Sequence, residues 1–337
     1  MPTAFPRVAN APPPAYPATS TMLLRGLGRT VRETLLFALA SQLLAPVYAR
    51  CYGAFLLHDH PPPLFASSPY LAHVTRDDLF FTFGLSAAIG LTYLTYNGVF
   101  YYLDRFRPNS PYKMPRKAAQ EPSDELIAAT LLKEAIAHLV TGPLIMCFAA
   151  GPLLRWTGGG HARAVAPEAL PDFFAAWRTF LVVFLTNECL FYSGHRLLHT
   201  PLLYAAIHKQ HHSYRNTRSF AAEYAHVAED VLTAYMPFLA GLVLTGAHYH
   251  VVFVWFMLRL TEVYEAHSGY CFRDAPAPLR LLSHWRSAVH HDHHHVVNMG
   301  NFGWELLDHL FGTMDHFVAA GGVECYLCGR RASGRAS

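Results

Sequence analysis

The sequence predicts an all-α, polytopic membrane bundle of about four spans plus a hairpin, carrying a histidine-box di-metal region on one side of the membrane. Three observations predict it. First, 52% of the 337 residues are hydrophobic and only 15% are charged, with a mean hydropathy of +0.17. A soluble domain carries roughly 25% charged residues, so this chain is short of solvating surface. Second, four stretches approach the ~20 apolar residues that cross a bilayer. Third, 17 of the 22 histidines lie between His195 and His316. Histidine is the commonest metal ligand, so such crowding asks for a chemical reason.

The same numbers exclude other classes. So apolar a chain is not intrinsically disordered. The net charge is +3, from 26 basic and 23 acidic residues, and no basic stripe is present to follow a phosphate backbone, so a nucleic-acid partner is not expected. Six scattered cysteines do not form a disulfide framework. Cys325 and Cys328 have CxxC spacing without a second pair.

Residues 1–30 read as a flexible Pro/Ala-rich tail, without the basic start and apolar core of a signal peptide. Residues 31–193 hold the spans: Thr34 to Leu57, interrupted by Pro46 and Arg50; Leu79 to Leu103; Ala135 to Leu154; and Phe173 to Ser193. Lys and Arg collect before the first span and in the loop of residues 104–125, and the intervening loops hold few. This bias puts the N-terminus, that loop and the segment after Ser193 on the cytoplasmic side. The block of residues 231–260 is either one long span or a hairpin turning at Gly246. The hairpin follows if the histidines before and after it build one site. Each arm then has ~15 residues and needs shielding by protein. Residues 194–316 form the histidine-box region and residues 317–337 a second tail.

Three boxes carry the chemistry. His195 and His199 are four apart, so on a helix they lie one above the other. His208, His211 and His212 follow i, i+3, i+4, and His291, His294 and His295 repeat that spacing. Eight imidazoles are too many for one ion and suit two. An all-nitrogen set favours iron, zinc, copper or nickel over magnesium or calcium. Glu188 lies in an apolar helix in step with Tyr192, His195 and His199. An acid at membrane depth usually faces a functional interior, and here it is expected to orient a ligand imidazole or else to pair with Arg196. Glu223, His226 and Glu229 share one helical face, with His226 either a further ligand or a supporting donor. Glu265 and His267 open the segment that leads to the last box, and His267 is read as a ligand. His290 and His293 are read as solvent-side or supporting groups, and His58, His60, His73, His138, His248 and His250 as interfacial or structural.

These motifs resemble the fatty acid hydroxylase/sterol desaturase superfamily, and within it the methylsterol monooxygenases. The pattern HRxLH is matched by His195 to His199, LYxxIHKxHH by Leu203 to His212, and AEYAHxxE by Ala222 to Glu229. The later ExHSGY, HHDxHH, GN and FGT are matched by Glu265 to Tyr270, His290 to His295, Gly300-Asn301 and Phe311 to Thr313. Glu188 stands where the family has Asp. The resemblance implies two non-haem irons on the cytoplasmic side of the endoplasmic reticulum membrane. It implies dioxygen as oxidant, electrons from NAD(P)H through cytochrome b5 and its reductase, and a lipid substrate, most specifically the carbon-4 methyl group of a sterol. Glu188, Glu223 and Glu265 are the acids expected to assist. Sibling reactions of the superfamily are sterol 25-hydroxylation, sterol desaturation and fatty-acyl hydroxylation. A zinc hydrolase is disfavoured because no HExxH box occurs. Metal transport, or metal binding without catalysis, is disfavoured because the boxes keep strict helical spacing.

Overall fold

The computed structural model describes residues 16–57, 74–114 and 120–323. The expectations for His58, His60, His73, Cys325 and Cys328, and for most of both tails, lie outside the described residues. The described chain is helical throughout, with no strands; one isolated bridge joins Lys113 and Tyr270. Nine helices organise it: α1 Thr19–Leu57, α2 Arg76–Phe106, α3 Asp124–Thr157, α4 Phe173–Leu198, α5 Val227–Thr245, α6 Tyr249–His267, α7 Trp285–Val297, α8 Glu305–Leu310 and α9 Asp315–Ala319. The first five are long and apolar enough to cross a membrane.

Two boundaries differ from the sequence reading. Residues 19–30, placed in the N-terminal tail, form the first three turns of α1, which also runs through Pro46 without a break. The helix begins early because Met22, Gly26 and Thr30 bury one face. Likewise α3 starts at Asp124 instead of Ala135, capped by Ser123, whose hydroxyl accepts from the Leu126 amide.

Three prolines inside α3 and α5 explain local widening. π-Helical turns at Ala137–Thr141, Met146–Ala150 and Asp230–Tyr235 stand just before Gly142-Pro143, Gly151-Pro152 and Met236-Pro237. A proline lacks an N–H and crowds the carbonyl four residues back. A widened turn relieves that clash and keeps the helix going.

The chain turns back at Gly246, whose φ of 58° ends α5. The hairpin is therefore the reading the structure supports over a single long span. Its arms are longer than the ~15 residues expected, at 19 each. α6 is buried on most sides by α1, α2 and α7, which is the shielding that such an arm requires. Trp255 on α6 and Phe180 on α4 meet Phe37 of α1 edge-on, at 5.4 and 5.5 Å between ring centres. Outward-facing Leu24, Leu39, Leu91, Leu94, Leu132 and Leu139 remain exposed, an apolar belt that only a lipid environment rewards. His248 and His250 brace the far end of the bundle, contacting the carbonyls of Ala166 and Ser41 at 3.1 and 2.8 Å.

Candidate metal centre

α4 delivers His195 in its last turn and His199 at its C-cap. The chain then turns at Pro201, and a π-helical turn ends at His208. A separate short 3₁₀ turn carries His211 and His212. The second box is thus not one α-helical face: Pro201 resets the helix just before it, and two different turn geometries present its members. His267 ends α6, while His291, His294 and His295 share one face of α7.

Nine imidazoles converge in two groups. His195, His199, His208, His212 and His294 form one; His211, His267, His291 and His295 form the other. Within each, one nitrogen per residue lies within 4.8 Å of the others. In the first group His208 Nε2 is 3.1 Å from His195 Nε2 and 3.0 Å from His212 Nε2. His294 Nε2 is 3.2 Å from His199 Nε2 and 3.1 Å from His212 Nε2. In the second, His291 Nε2 is 2.9 Å from His267 Nε2 and 3.1 Å from His295 Nε2. The groups adjoin, with the His212 and His295 rings 4.7 Å apart.

The outer ring nitrogens decide what these contacts are. His195 Nδ1 donates to Phe302 O at 2.6 Å, and His294 Nδ1 to Gly300 O at 2.6 Å. His267 Nδ1 donates to Val263 O at 2.9 Å, and His295 Nδ1 to Tyr214 O at 3.1 Å. His208 Nδ1 lies 2.8 Å from Glu229 Oε1, a close contact without hydrogen-bond geometry. Carbonyls accept, so the protons of the neutral His195, His294, His267 and His295 rings sit on Nδ1 and their Nε2 lone pairs point inward. His195 and His294 then bring two inward lone pairs within 4.8 Å of each other, which a hydrogen bond between them cannot satisfy and a cation can. Burial, with the other imidazoles close by, holds His208, His211, His212, His291, His294 and His295 well below the ordinary histidine range. They stay neutral, as ligands must. The donor set therefore fits two adjacent ions of a nitrogen-preferring transition metal.

His226 does not join either group: it caps α5, its Nδ1 accepting from the Ala228 amide at 3.1 Å. Glu188 does not touch an imidazole, nor does it pair with Arg196. It joins Arg29, Arg259 and Glu262 in a buried ring of charge, with contacts of 2.6 to 3.1 Å. α4 turns its Glu188 side toward α1 and α6, where two arginines are buried with it. The acid that meets a ligand is Glu229, whose sequence signal was the AEYAHxxE match. Glu223, His226 and Glu229 do not share a helix; an extended residue at His226 separates a 3₁₀ turn from α5. Glu223 instead accepts from Tyr264 and contacts His138 at 2.9 Å, which moves His138 from a structural role to a cavity wall. Glu265 is buried on α6, and its Oε1 has no hydrogen-bond partner among the described residues.

A cavity of about 260 Å³ opens onto the centre. Phe81, Leu85, Ile89, Met146, Phe238 and Leu260 line its apolar part, and His195, His211, His267 and His291 also line it. Its polar lining includes Lys133, His138, Glu223, Glu229 and Asp230, together with the Arg29, Glu188, Arg259 and Glu262 ring.

Five membrane-length helices and two buried clusters of imidazoles define an integral membrane protein with two histidine clusters that could each hold a metal ion. The fatty acid hydroxylase family model matches residues 180–313, which hold all nine histidines. Methylsterol monooxygenase 2-1 of Arabidopsis thaliana is 30% identical over 279 residues, 78% of this chain and 87% of that protein. Very-long-chain aldehyde decarbonylase GL1-8 of Oryza sativa subsp. indica is 38% identical over 149 residues, 43% of this chain and 54% of that protein. Fatty acid hydroxylase domain-containing protein 2 of Homo sapiens is 28% identical over 228 residues, 66% and 63% of the two chains. No solved structure matches. The chain belongs to the fatty acid hydroxylase family.

Proposed function

We propose that the protein is a membrane di-iron monooxygenase that oxidises the carbon-4 methyl group of a sterol precursor. Dioxygen is the oxidant, and NAD(P)H supplies electrons through cytochrome b5 and its reductase. The boxes face the cytoplasm from the endoplasmic reticulum membrane. The observation that carries this reading is the cavity, whose lining is mainly apolar and includes four of the converging histidines. Such a lining suits part of a hydrocarbon skeleton with one carbon near those histidines. The name and coverage of the Arabidopsis relative favour a sterol.

In the balanced reaction one C–H bond becomes C–OH; the second oxygen atom leaves as water, consuming two electrons and two protons. Bound non-haem iron supplies the activation of dioxygen, the part of the chemistry that side chains cannot do. Imidazoles suit that role because, unlike thiolates, they resist oxidation. The chain's own contribution is position and access. Carbonyl acceptors fix the His195, His267, His294 and His295 rings, the aromatic and aliphatic walls exclude water, and the Glu223–His138 pair in the cavity lining offers hydrogen bonds to a substrate hydroxyl.

Lipid profiling of a yeast strain lacking its own methylsterol oxidase tests the proposal. Expression of the protein should remove 4,4-dimethylsterols, and His211→Ala should abolish that while the chain stays in the membrane. Persisting dimethylsterols despite good microsomal expression would refute the substrate. The local similarity to an aldehyde decarbonylase favours a second reading, a long-chain aldehyde substrate, which the same profile would reveal as shortened hydrocarbons. Hydroxylated fatty acids or other oxidised sterols would instead name a sibling reaction.

A further inference from the structure

The loop between α7 and α8 contributes no ligand, yet two of its carbonyls set two ligands from different boxes. Gly300 O accepts from His294 Nδ1 on α7, and Phe302 O from His195 Nδ1 on α4, both at 2.6 Å. Both rings belong to the five-histidine group. The loop is a costly one to form: Asn298 and Asn301 take φ of 59° and 55°, and Gly300 of 63°. A left-handed conformation is unfavourable for side-chain-bearing residues and persists only where surrounding structure enforces it. At Gly300 no side chain fits at all, since a Cβ would lie 2.1 Å from the Thr313 carbonyl oxygen.

What enforces it is Asp308. This carboxylate, fully buried on α8, takes the Phe302 amide at 2.8 Å and the Thr313 hydroxyl at 2.6 Å on Oδ1. Its Oδ2 takes the Gly303 amide at 3.0 Å. Thr313 O in turn accepts from the Asn301 amide at 2.8 Å, and the Thr313 hydroxyl is 3.0 Å from that of Tyr192 on α4. Asn301 Nδ2 donates to His290 O at 3.1 Å. Asp308 thus grips both sides of the Phe302 carbonyl, one peptide away from the atom that holds His195.

We propose that Asp308 is the positioning residue of the five-histidine metal site: it sets the loop whose carbonyls fix the tautomer and aim of His195 and His294. It touches neither metal nor substrate. The inference rests on the metal reading of the site, but not on which lipid is oxidised. The four-histidine group draws its carbonyl acceptors from Val263 and Tyr214, outside this loop. Asp308 reaches toward the other group through a 3.7 Å contact with His290 Nε2, one residue before His291, but both carbonyls it sets serve the five-histidine group, so its effect should fall chiefly there, which a general structural role would not produce. Supporting partners of ligand histidines typically change metal affinity by about 10–100-fold.

The test is cobalt(II) titration of the detergent-purified full chain, stripped of metal, read from visible absorption and from retention against a chelator. Wild type should take up two equivalents. Asp308→Asn keeps the shape of the side chain but puts an NH₂ where an amide must be received. It should bind the second-group ion normally and the first about 10–100-fold more weakly, with unchanged helix content. If Asp308→Asn fails to fold, Thr313→Val, which removes only one donor, should show the same one-site loss more mildly. Equal weakening of both sites, or two wild-type sites in a folded variant, would overturn the proposal. A wild-type chain that takes up no metal would overturn the metal reading itself, a distinguishable result.

Discussion

Replacing Glu229 tests how the ligands are held. Its Oε1 lies 2.8 Å from His208 Nδ1, with Glu229 and His208 only 4% and 1% exposed. Water cannot substitute for the acceptor at that burial. In Glu229→Gln an oxygen keeps its place beside Nδ1, but the carboxylate that two bound cations would hold ionised is gone. Hydrogen bonds to charged groups contribute about 1.5–3 kcal/mol against about 0.5–1.5 for neutral ones. The difference of ~1.4 kcal/mol is a tenfold loss of metal affinity. Glu229→Leu removes the 2.8 Å contact with Nδ1 and its charge altogether, which should cost up to about 100-fold. Chelator competition with cobalt(II) measures both, and circular dichroism reports whether the helices persist. The loss should fall on the group containing His208 and spare that containing His267. Both variants within twofold of wild type would refute the orienting role.

Other perturbations reach different parts of the account. Arg29→Met would leave Glu188 and Glu262 sharing Arg259, with Ser287 still donating to Glu262, and breaking a buried pair costs about 3–5 kcal/mol. A markedly lower unfolding temperature in detergent is expected, and an unchanged one would show the charge ring to be dispensable. The pH dependence of the metal-free protein follows from the depressed box histidines. Unfolded histidine titrates near ~6.5, so below that pH the unfolded chain binds protons that the folded one excludes. Stability present above pH ~6.5 should fall as the pH drops from there toward 5; a flat thermal-denaturation profile over that range would contradict the buried, neutral assignment. His138→Ala should raise the KM for a hydroxyl-bearing lipid several-fold while sparing metal content, because His138 touches Glu223 at the cavity wall. An unchanged KM would return His138 to a structural role.

The sequence carried the spans and the grouping of the box histidines well because both rest on local periodicity. Helical spacing put His195 with His199 and His291 with His294 and His295, and the turn at Gly246 joined the two ends of the site. Other features depended on context that periodicity lacks. The second box mimics a helix in its spacing, yet Pro201 and the change of turn after His208 break it. Glu188 and Glu229 are both acids beside histidines, and only the packing of Arg29 and Arg259 shows which one is occupied elsewhere. The π-helical turns had a readable signal, a proline within a long apolar helix. The Asp308 clamp had almost none, since its partners are two backbone amides and the hydroxyl of Thr313.

The central claim is that nine imidazoles hold two metal ions. Iron K-edge X-ray absorption of the purified, iron-loaded protein, together with its iron content, tests it most directly. The account predicts two irons per chain with a first shell dominated by nitrogen and the multiple scattering of imidazole rings. A sulfur-containing shell, or a well-folded chain that retains no iron after desalting, would contradict it.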